Sequence, residues 1–413
     1  MRTAHHLVGV ATFVALITCS SLVAQRQSAD WPQWRGPNRD GAPGAFSAPK
    51  AWPEQLVQRW KAEVGEGYAT PLVVGNRVYV FSRRDGNEVM AALDAQTGKE
   101  IWRTGYPIDF TMHSAATQHN KGPKSTPAFA NGTLYAIGMT GVVTAFDAAN
   151  GKQRWQKPGS VPVPLYTTHA FSPLVEGSLV IFHLGGHDKG ALTALDRETG
   201  NVRWSWDGDG PGYGSPMVAT LGGTRQVVTI TQKKIVGVDV ATGAPLWERP
   251  YPARVDTNST TPVISGQTVI VCNGGPAVAF SVAKNGTEWT TTNVWESPDL
   301  QTRNMNYVLL GDLLFGMSNR NSGQYVGVDV KTGKTLWTSP GRQSLNAAVG
   351  KSGDLLYSLE DDGEFVVARK SDTAFELIKK YKVAEGQTWA EAALSGNRIF
   401  VKDLNTVTLW TLN

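Results

Sequence analysis

The sequence contains an eleven-residue stretch, Ala92-Leu93-Asp94-Ala95-Gln96-Thr97-Gly98-Lys99-Glu100-Ile101-Trp102, that returns four more times along the chain. The shared pattern is a small residue, an apolar residue, Asp, two spacers, a Thr-Gly pair and a Trp four positions after the Gly. The other copies end at Trp155, Trp204, Trp247 and Trp337. Self-similarity of this kind indicates one supersecondary unit repeated along the chain.

Each copy is typical of a β-hairpin. The first strand ends at the Asp, whose carboxylate can accept hydrogen bonds from backbone N–H groups two residues further on and so close the turn. The Gly supplies a residue with positive φ, which most side chains disfavour. The second strand then carries its Trp at a fixed height above the turn.

The spacing of these tryptophans predicts the architecture. The expected docking residues, each packed between neighbouring sheets, are Trp60, Trp102, Trp155, Trp204, Trp247, Trp295 and Trp337, with Tyr381 continuing the series. A period of ~40–50 residues with about four short strands per period is typical of a propeller blade. Seven units lie between Trp60 and Tyr381, and the strand at residues 56–61 completes the three strands after Lys382. We therefore expect an all-β, eight-bladed propeller of four-stranded antiparallel blades, closed by its N- and C-terminal strands.

Composition and charge narrow the class of protein. The chain has 413 residues, with 44 Gly and 14 Trp, which suits short strands, tight turns and aromatic packing. The net charge of +4 is too small to predict a nucleic-acid surface. Two cysteines, Cys19 and Cys272, exclude a disulfide-rich scaffold. We expect a monomer without a transmembrane span.

The N-terminus has the pattern of a secretory signal peptide. Arg2 precedes an apolar run at residues 7–17, and small and polar residues follow up to Ala24. The expected organisation is a signal peptide at 1–24, an N-terminal arm at 25–55 and a single propeller at 56–413. The protein is then periplasmic or secreted. Cys19 as a lipidated N-terminus is the alternative.

Other candidate chemical motifs are weak. Asp207-Gly208-Asp209-Gly210 begins like a calcium loop, but Pro211 and Val218 occupy positions where ligands are needed. His183 and His187 lie on a strand and its turn rather than on one helical face. Residues 361–364 are typical of a solvated hairpin tip. We therefore expect no metal site and no catalytic residue.

The strongest candidate site is the mouth of the central channel. Each innermost strand opens with a Ser/Thr-Pro pair or its aligned equivalent, and residues three or four before the Pro should surround the axis on one face. This predicted ring consists of Tyr68, Lys124, His169, Tyr213, Asn258, Arg303, Asn304, Asn346 and Trp389. Its aromatic and cationic members predict stacking and charge contacts with an anionic small molecule or an acidic peptide. The second unit is longer than the others, and we expect its additional residues, Tyr106 to Pro123, to cover the same face.

The eleven-residue motif resembles the tryptophan-docking repeat of the pyrroloquinoline quinone (PQQ) propellers. The segments Asp30–Gly41 and His119–Pro127 are similar to segments of uncharacterised exported members. The family includes the eight-bladed quinoprotein alcohol dehydrogenases and the non-enzymatic barrel-assembly lipoprotein BamB. The resemblance covers residues 30–413 and is specific for the fold rather than the function.

The resemblance is compatible with two functions, an enzyme and a non-catalytic binding module. For an enzyme it implies PQQ, a calcium ion held by acidic residues, a catalytic Asp and a pair of adjacent cysteines. Removal of the signal peptide leaves Cys272 as the single cysteine, so the adjacent pair is absent. Glu391 is the only acidic residue next to the predicted ring. We therefore expect a non-catalytic binding or scaffold module for protein or envelope partners, without a cofactor. The alternative is a PQQ-dependent oxidoreductase that acts on an alcohol or a sugar.

Overall fold

The computed structural model describes residues 28–159, 169–253 and 258–412. The predicted signal peptide and Cys19 lie outside these residues. The described residues form eight four-stranded antiparallel sheets arranged as the blades of a propeller. In chain order the strands are β1 Val57–Glu63, β2 Leu72–Val74, β3 Arg77–Arg84, β4 Asn87–Asp94, β5 Glu100–Pro107, β6 Ala128–Ala130, β7 Thr133–Ile137, β8 Val143–Asp147, β9 Gln153–Lys157, β10 Leu174–Glu176, β11 Leu179–Gly186, β12 Lys189–Asp196, β13 Val202–Trp206, β14 Met217–Leu221, β15 Thr224–Ile230, β16 Lys234–Asp239, β17 Pro245–Pro250, β18 Val263–Ser265, β19 Thr268–Val271, β20 Ala277–Asn285, β21 Glu288–Ser297, β22 Tyr307–Leu310, β23 Leu313–Ser318, β24 Gln324–Asp329, β25 Thr335–Thr338, β26 Ala347–Ser352, β27 Leu355–Glu360, β28 Glu364–Arg369, β29 Glu376–Lys382, β30 Ala393–Ser395, β31 Arg398–Lys402 and β32 Thr406–Thr411.

Blades 1 to 7 are consecutive sets of four strands, from β2–β5 to β26–β29, and blade 8 combines both ends of the chain. In blade 8, β1 pairs with β32 in antiparallel register, from Val57 opposite Thr411 to Glu63 opposite Thr406. The predicted eight-bladed ring and its closure are therefore confirmed. Closure removes the two open sheet edges that the ends of the chain would otherwise leave.

The repeated Asp closes its hairpin as predicted. Asp94 Oδ1 accepts hydrogen bonds from the backbone N–H groups of Gln96 at 3.0 Å and Thr97 at 2.9 Å, and from the Thr97 hydroxyl at 3.0 Å. Gly98 follows with a φ of +70°, a backbone conformation that a residue with a Cβ rarely adopts. The turn is thus held by one carboxylate and one glycine.

The docking tryptophans lie on the outermost strands and join each blade to the next. The Trp60 ring packs against Gly98, the turn glycine of blade 1, and its Nε1–H donates to the carbonyl of Ala95, one residue after the turn Asp. The same contact recurs in other blades, with these donor and acceptor pairs: Trp102 to Ala148, Trp155 to Arg197, Trp204 to Val240 and Trp295 to Val330. Trp337 donates to the carbonyl of Ser371.

Trp247 departs from this pattern. The next blade carries no Thr-Gly turn, because the hairpin of β20 and β21 closes at Asn285 and Glu288 instead. The Trp247 Nε1–H donates to Gln226 Oε1 of its own blade at 2.5 Å. The indole N–H of Trp247 therefore bonds within its own blade rather than to the next one.

A belt of hydrogen bonds links the inner strands around the channel. At the Ser/Thr-Pro position, the backbone N–H of one blade donates to the side-chain oxygen of the next blade. The donors and acceptors are Glu391 to Thr70, Thr70 to Thr126, Thr126 to Ser172, Ser172 to Ser215, Ser215 to Thr261 and Thr261 to Asn306. The recurrent hydroxyl is therefore a structural link between blades, since it satisfies a buried N–H group.

The N-terminal arm, described from residue 28 to residue 55, crosses the channel and contacts the inner strands of several blades. Trp31 exchanges two backbone hydrogen bonds with Val73 of blade 1. Gly41 accepts from Lys351 N–H of blade 7, and Ala45 accepts from Gly396 N–H of blade 8. Because Gly396 lies in the turn after the inner strand, the arm fills the channel from the end opposite the Ser/Thr-Pro positions.

Helix is limited to two short 3-10 segments in the described residues, Ser114–His119 and Arg320–Ser322. No helix among these residues has the length and apolar character needed to cross a membrane.

Candidate functional site

A cavity with about 540 Å³ of empty space, partly open to solvent, lies at the channel mouth. Of the nine predicted ring residues, the structure brings five to its walls: Tyr68, Lys124, Asn304, Asn346 and Trp389. They precede the inner strands of blades 1, 2, 6, 7 and 8. The mouth is therefore one-sided, and its centre is displaced toward the blades at the two ends of the chain.

Aromatic rings form one wall of the cavity. The Trp389 ring lies 6.2 Å from the Tyr68 ring and 5.7 Å from the His119 ring, which meets it edge-on. Trp389 Nε1 is buried without a hydrogen-bond acceptor among the described residues. Trp389 thus offers a guest a flat apolar face.

The segment from Tyr106 to Pro123 lies on the mouth face, as predicted. It includes the 3-10 helix Ser114–His119, which brings His119 against Trp389. Pro123 accepts a hydrogen bond from the backbone N–H of Tyr68 at 2.8 Å. The insertion therefore packs behind Trp389 and Tyr68, and the expectation that it forms part of the cavity wall is corrected, because none of its residues lines the cavity.

Lys124 lies in the wall between the insertion and blade 2. Its ammonium group donates to the carbonyl oxygens of Asn120 at 3.2 Å and Gly122 at 3.1 Å. Burial lowers the pKa of Lys124 to about 7, while the carboxylates of Glu66 and Glu88 act in the opposite direction. At neutral pH the amine is therefore only partly protonated.

The other four predicted ring residues do not line the cavity. His169 is buried, and desolvation lowers its pKa to about 4, so it is neutral at pH 7. Asn258 is also buried and donates to the carbonyls of Thr231 and Tyr251, each at 2.8 Å. Tyr213 is buried and its ring lies 6.0 Å from that of His187, while Arg303 is exposed outside the cavity. This corrects the expected even ring, and His169 is not one of its cations.

Residues of the N-terminal arm close the floor of the cavity, and none of them belongs to the predicted ring. Trp34 of the arm lines the cavity, and the guanidinium groups of Arg35 and Arg39 lie 5.4 and 5.6 Å from the Trp34 ring. Two arginines that follow Trp34 within five residues are the sequence signal of this cluster. Both are buried, which is rare for arginine unless it is paired.

Glu391 anchors this arm segment. Its Oε2 accepts a hydrogen bond from the backbone N–H of Arg35 at 2.8 Å, and its Oε1 lies 3.8 Å from Arg35 Nε. Burial raises the pKa of Glu391 to about 7, and the positive charge of Arg35 opposes that rise. Arg35 also donates through Nη2 to the carbonyl of Tyr307 at 2.7 Å. Glu391 lines the cavity but is already committed to the arm.

The weak metal candidates have other partners. Glu360, Asp362 and Glu364 come together, but the ammonium of Lys380 lies 3.3 Å from Glu360 and 3.1 Å from Glu364. Asp209 Oδ2 accepts from the Thr231 hydroxyl and from the backbone N–H of Lys233. Lys380 thus supplies the positive charge beside the Glu360 cluster, and hydrogen-bond donors of the protein satisfy Asp209.

The residues present do not fit the PQQ and calcium that the family resemblance implies for its enzymes. Cys272 is buried, and its thiol donates to the carbonyl of Gly275 at 3.2 Å, so no neighbouring cysteine partners it in the described residues. The one acidic residue of the cavity wall, Glu391, is paired with Arg35. The arm occupies the channel beneath it. No quinone step is therefore derived from this site.

Comparisons with known proteins agree on the type of fold. The family model described as "Outer membrane protein assembly factor BamB" matches residues 57–105 and 85–339. A protein of that name from Burkholderia pseudomallei is 24% identical over 368 residues, which cover 77% of this chain and 81% of the relative. The crystal structure of BamB from Moraxella catarrhalis superposes with a TM-score of 0.60 at 18% identity, covering 86% of this chain and 97% of that one. The quinohemoprotein alcohol dehydrogenase from Comamonas testosteroni gives a TM-score of 0.64 at 16% identity, covering 93% and 80%.

Proposed function

This chain belongs to the PQQ-like β-propeller family whose model is described as outer membrane protein assembly factor BamB, and we propose that it is an exported, non-catalytic binding or scaffold module for a protein or envelope partner. The observation that carries the proposal is the filled channel. Trp31 and Arg35 of the arm are buried inside it, and Arg35 pairs with the acid of the cavity wall. What stays open is a rigid mouth, suited to recognition.

The partner contacts the mouth through an acidic or acceptor-rich segment. The amine of Lys124 and the nearby exposed Arg303 favour such a guest over a neutral one. Each exposed charge contributes on the order of 1 kcal/mol or less, so affinity depends mainly on stacking against Tyr68 and Trp389.

The location follows from the same proposal. The protein is periplasmic or secreted as a monomer after cleavage of the signal peptide behind Ala24, with lipidation at Cys19 as the alternative form. The mass of the exported protein distinguishes the two, because lipidation keeps residues 20–24 together with an acylated Cys19.

The test begins with capture of partners from an envelope fraction on the immobilised protein, together with a thermal-shift screen of anionic small molecules and acidic peptides. Trp389→Ala should weaken binding of the ligand found more than Lys124→Ala, and added salt should reduce only the Lys124 contribution. Trp289→Ala is the matched control, since Trp289 lies on the outer strand β21, away from the mouth.

Two results would contradict the proposal. One is reduction of a redox dye by the wild-type protein in the presence of PQQ, calcium and an alcohol or sugar, which would favour an oxidoreductase. The other is a complete failure to retain partners and to shift the melting temperature, which would make the mouth a solvated funnel.

A further inference from the structure

Lys124 combines a place beside the cavity with an unusual set of hydrogen-bond partners. Lys124 lines the mouth cavity, and the polar contacts of its Nζ are two backbone carbonyls, with the sulfur of Met139 at 3.9 Å. Among the described residues, no carboxylate forms an ion pair with it. Backbone carbonyls orient an amine without neutralising a positive charge as a carboxylate does.

The charged groups that face Lys124 do not hold it firmly in the ammonium form. Glu66 and Glu88 favour protonation only through space, and Glu88 is already committed to the backbone N–H of Met139 at 2.6 Å and the Tyr106 hydroxyl at 2.7 Å. On the other side lies His119 of the insertion, whose pKa the Lys124 charge helps to lower. With a pKa of about 7, the neutral fraction of the Lys124 amine at pH 7 is far larger than that of an exposed lysine, which is about one in 2,500.

We propose that Lys124 is a reactive amine that forms an imine with aldehydes entering the mouth cavity, aromatic aldehydes above all. The lone pair of neutral Nζ attacks the carbonyl carbon, and a proton moves from nitrogen to oxygen to give the carbinolamine. Water then leaves, and a C=N bond joins Nζ to the guest. The step needs no oxidant or reductant. The rings of Trp389 and Tyr68 supply a stacking surface for an aromatic guest.

Lys402 provides an internal control within the same molecule. Burial lowers its pKa to about 7 as well, and its Nζ donates to the carbonyls of Gly65, Asp403 and Leu404. Lys402 is fully buried and does not line the cavity. Lys402 thus resembles Lys124 in its burial and its carbonyl contacts, but the mouth cavity gives no aldehyde access to it.

The experiment traps imines at individual lysines of the intact exported protein. Pyridoxal 5′-phosphate and benzaldehyde serve as probes, cyanoborohydride reduces the imine, and peptide mass mapping gives the rate at each lysine. At pH 7, Lys124 should be labelled on the order of tenfold faster than exposed lysines, because its larger neutral fraction outweighs its lower basicity. Lys402 should stay unlabelled, and Lys124→Met, which removes the amine without placing a permanent charge in the buried site, should lose the fast label while remaining folded. Benzaldehyde, which has no phosphate, shows that charge attraction is not the cause.

The pH profile gives a second readout. Labelling of Lys124 should level off a little above pH 7, whereas labelling of exposed lysines should keep rising toward pH 10. The proposal is overturned if Lys124 reacts no faster than exposed lysines, or if Lys402 reacts as fast as Lys124, since access through the cavity would then play no part. These outcomes are independent of whether an envelope partner is captured.

Discussion

Among the single residues, the buried histidines beside the channel show how burial sets charge in this protein. Desolvation lowers the pKa of both His169 and His183 to about 4. Both rings contact Phe171, and the His183 Nε2 lies 3.0 Å from the carbonyl oxygen of Asp209. At neutral pH both imidazoles are uncharged and pack like apolar side chains. Their protonation at acidic pH costs folding free energy, because it places a charge in a buried site.

We predict that these two histidines lower stability between about pH 6.5 and pH 4, while Glu391, whose pKa burial raises to about 7, acts in the opposite direction above about pH 4.5. In this window the unfolded chain binds a proton at each histidine and the folded chain does not, so the free energy of unfolding decreases as the pH falls. Each histidine accounts for up to ~3 kcal/mol of that decrease. Urea titrations across the window should show a smaller decrease for the double variant His169→Gln/His183→Gln. Phe171→Leu, which alters the same packing without a titrating group, should lower stability equally at every pH.

The ring residues show where prediction from sequence ended. Tyr68, Lys124 and Trp389 could be placed at the mouth because the Ser/Thr-Pro repeat fixes their height. The burial of His169 could not be predicted, because it depends on Gly141 of the preceding blade, whose lack of a side chain leaves room for the imidazole. The role of Glu391 depends on Arg35, which is 356 residues away and belongs to no repeat.

At the scale of the element, the contact between a docking tryptophan and a turn glycine joins one blade to the next. A Cβ added at Gly98 would lie 2.7 Å from the Trp60 ring, closer than real Cβ contacts allow. The spacing of the tryptophans predicted that Trp60 packs between two sheets, but not that its ring lies on the turn glycine. It did not predict the Gln226 partner of Trp247, because that partner appears only where the next blade lacks the turn.

We predict that Gly98→Ala destabilises the protein by roughly 2 kcal/mol more than Gly86→Ala, a core-overpacking cost. Both glycines belong to blade 1 and have positive φ, +70° and +79°, so both substitutions strain the backbone. A Cβ at Gly86 would meet nothing within 4 Å, whereas one at Gly98 would displace Trp60. Urea unfolding of the two variants measures the difference. Equal losses would show that the docking contact tolerates a methyl group.

Over the whole molecule, two long-range connections hold the ring together. One is the pairing of β1 with β32, and the other is the arm, which is tied to Glu391 of blade 8 and, through Arg35 Nη2, to Tyr307 of blade 6. The first could be predicted by counting strands. The second could not, because the arm has neither a period nor a regular strand.

We predict that deletion of residues 404–413 abolishes the folded monomer. The deletion removes β32, which lies between β1 and β31, and exposes the edges of both strands. Size-exclusion chromatography should show aggregated or unfolded protein. A chain that lacks only Asn413, which follows the last strand, should elute and melt like the full-length protein.

We also predict that Arg35→Met costs about 3–5 kcal/mol, because it leaves the buried carboxylate of Glu391 without its cation. The double variant Arg35→Met/Glu391→Gln should recover part of this loss, since the uncompensated charge is gone. A double-mutant cycle by urea unfolding measures the recovery. Additive effects of the two substitutions would mean that the pair does not couple the arm to the ring.

The arm also imposes an order on folding. Its residues are the first of the described chain to be synthesised, yet their partners include Lys351, Glu391 and Gly396, which are among the last. Local hairpins within each blade close short loops and form early, whereas contacts across more than three hundred residues carry a larger loop-closure entropy. Docking of the arm is thus a late event, and the burial of Trp31 and Trp34 should follow assembly of the blades as a separate, slower phase in refolding fluorescence.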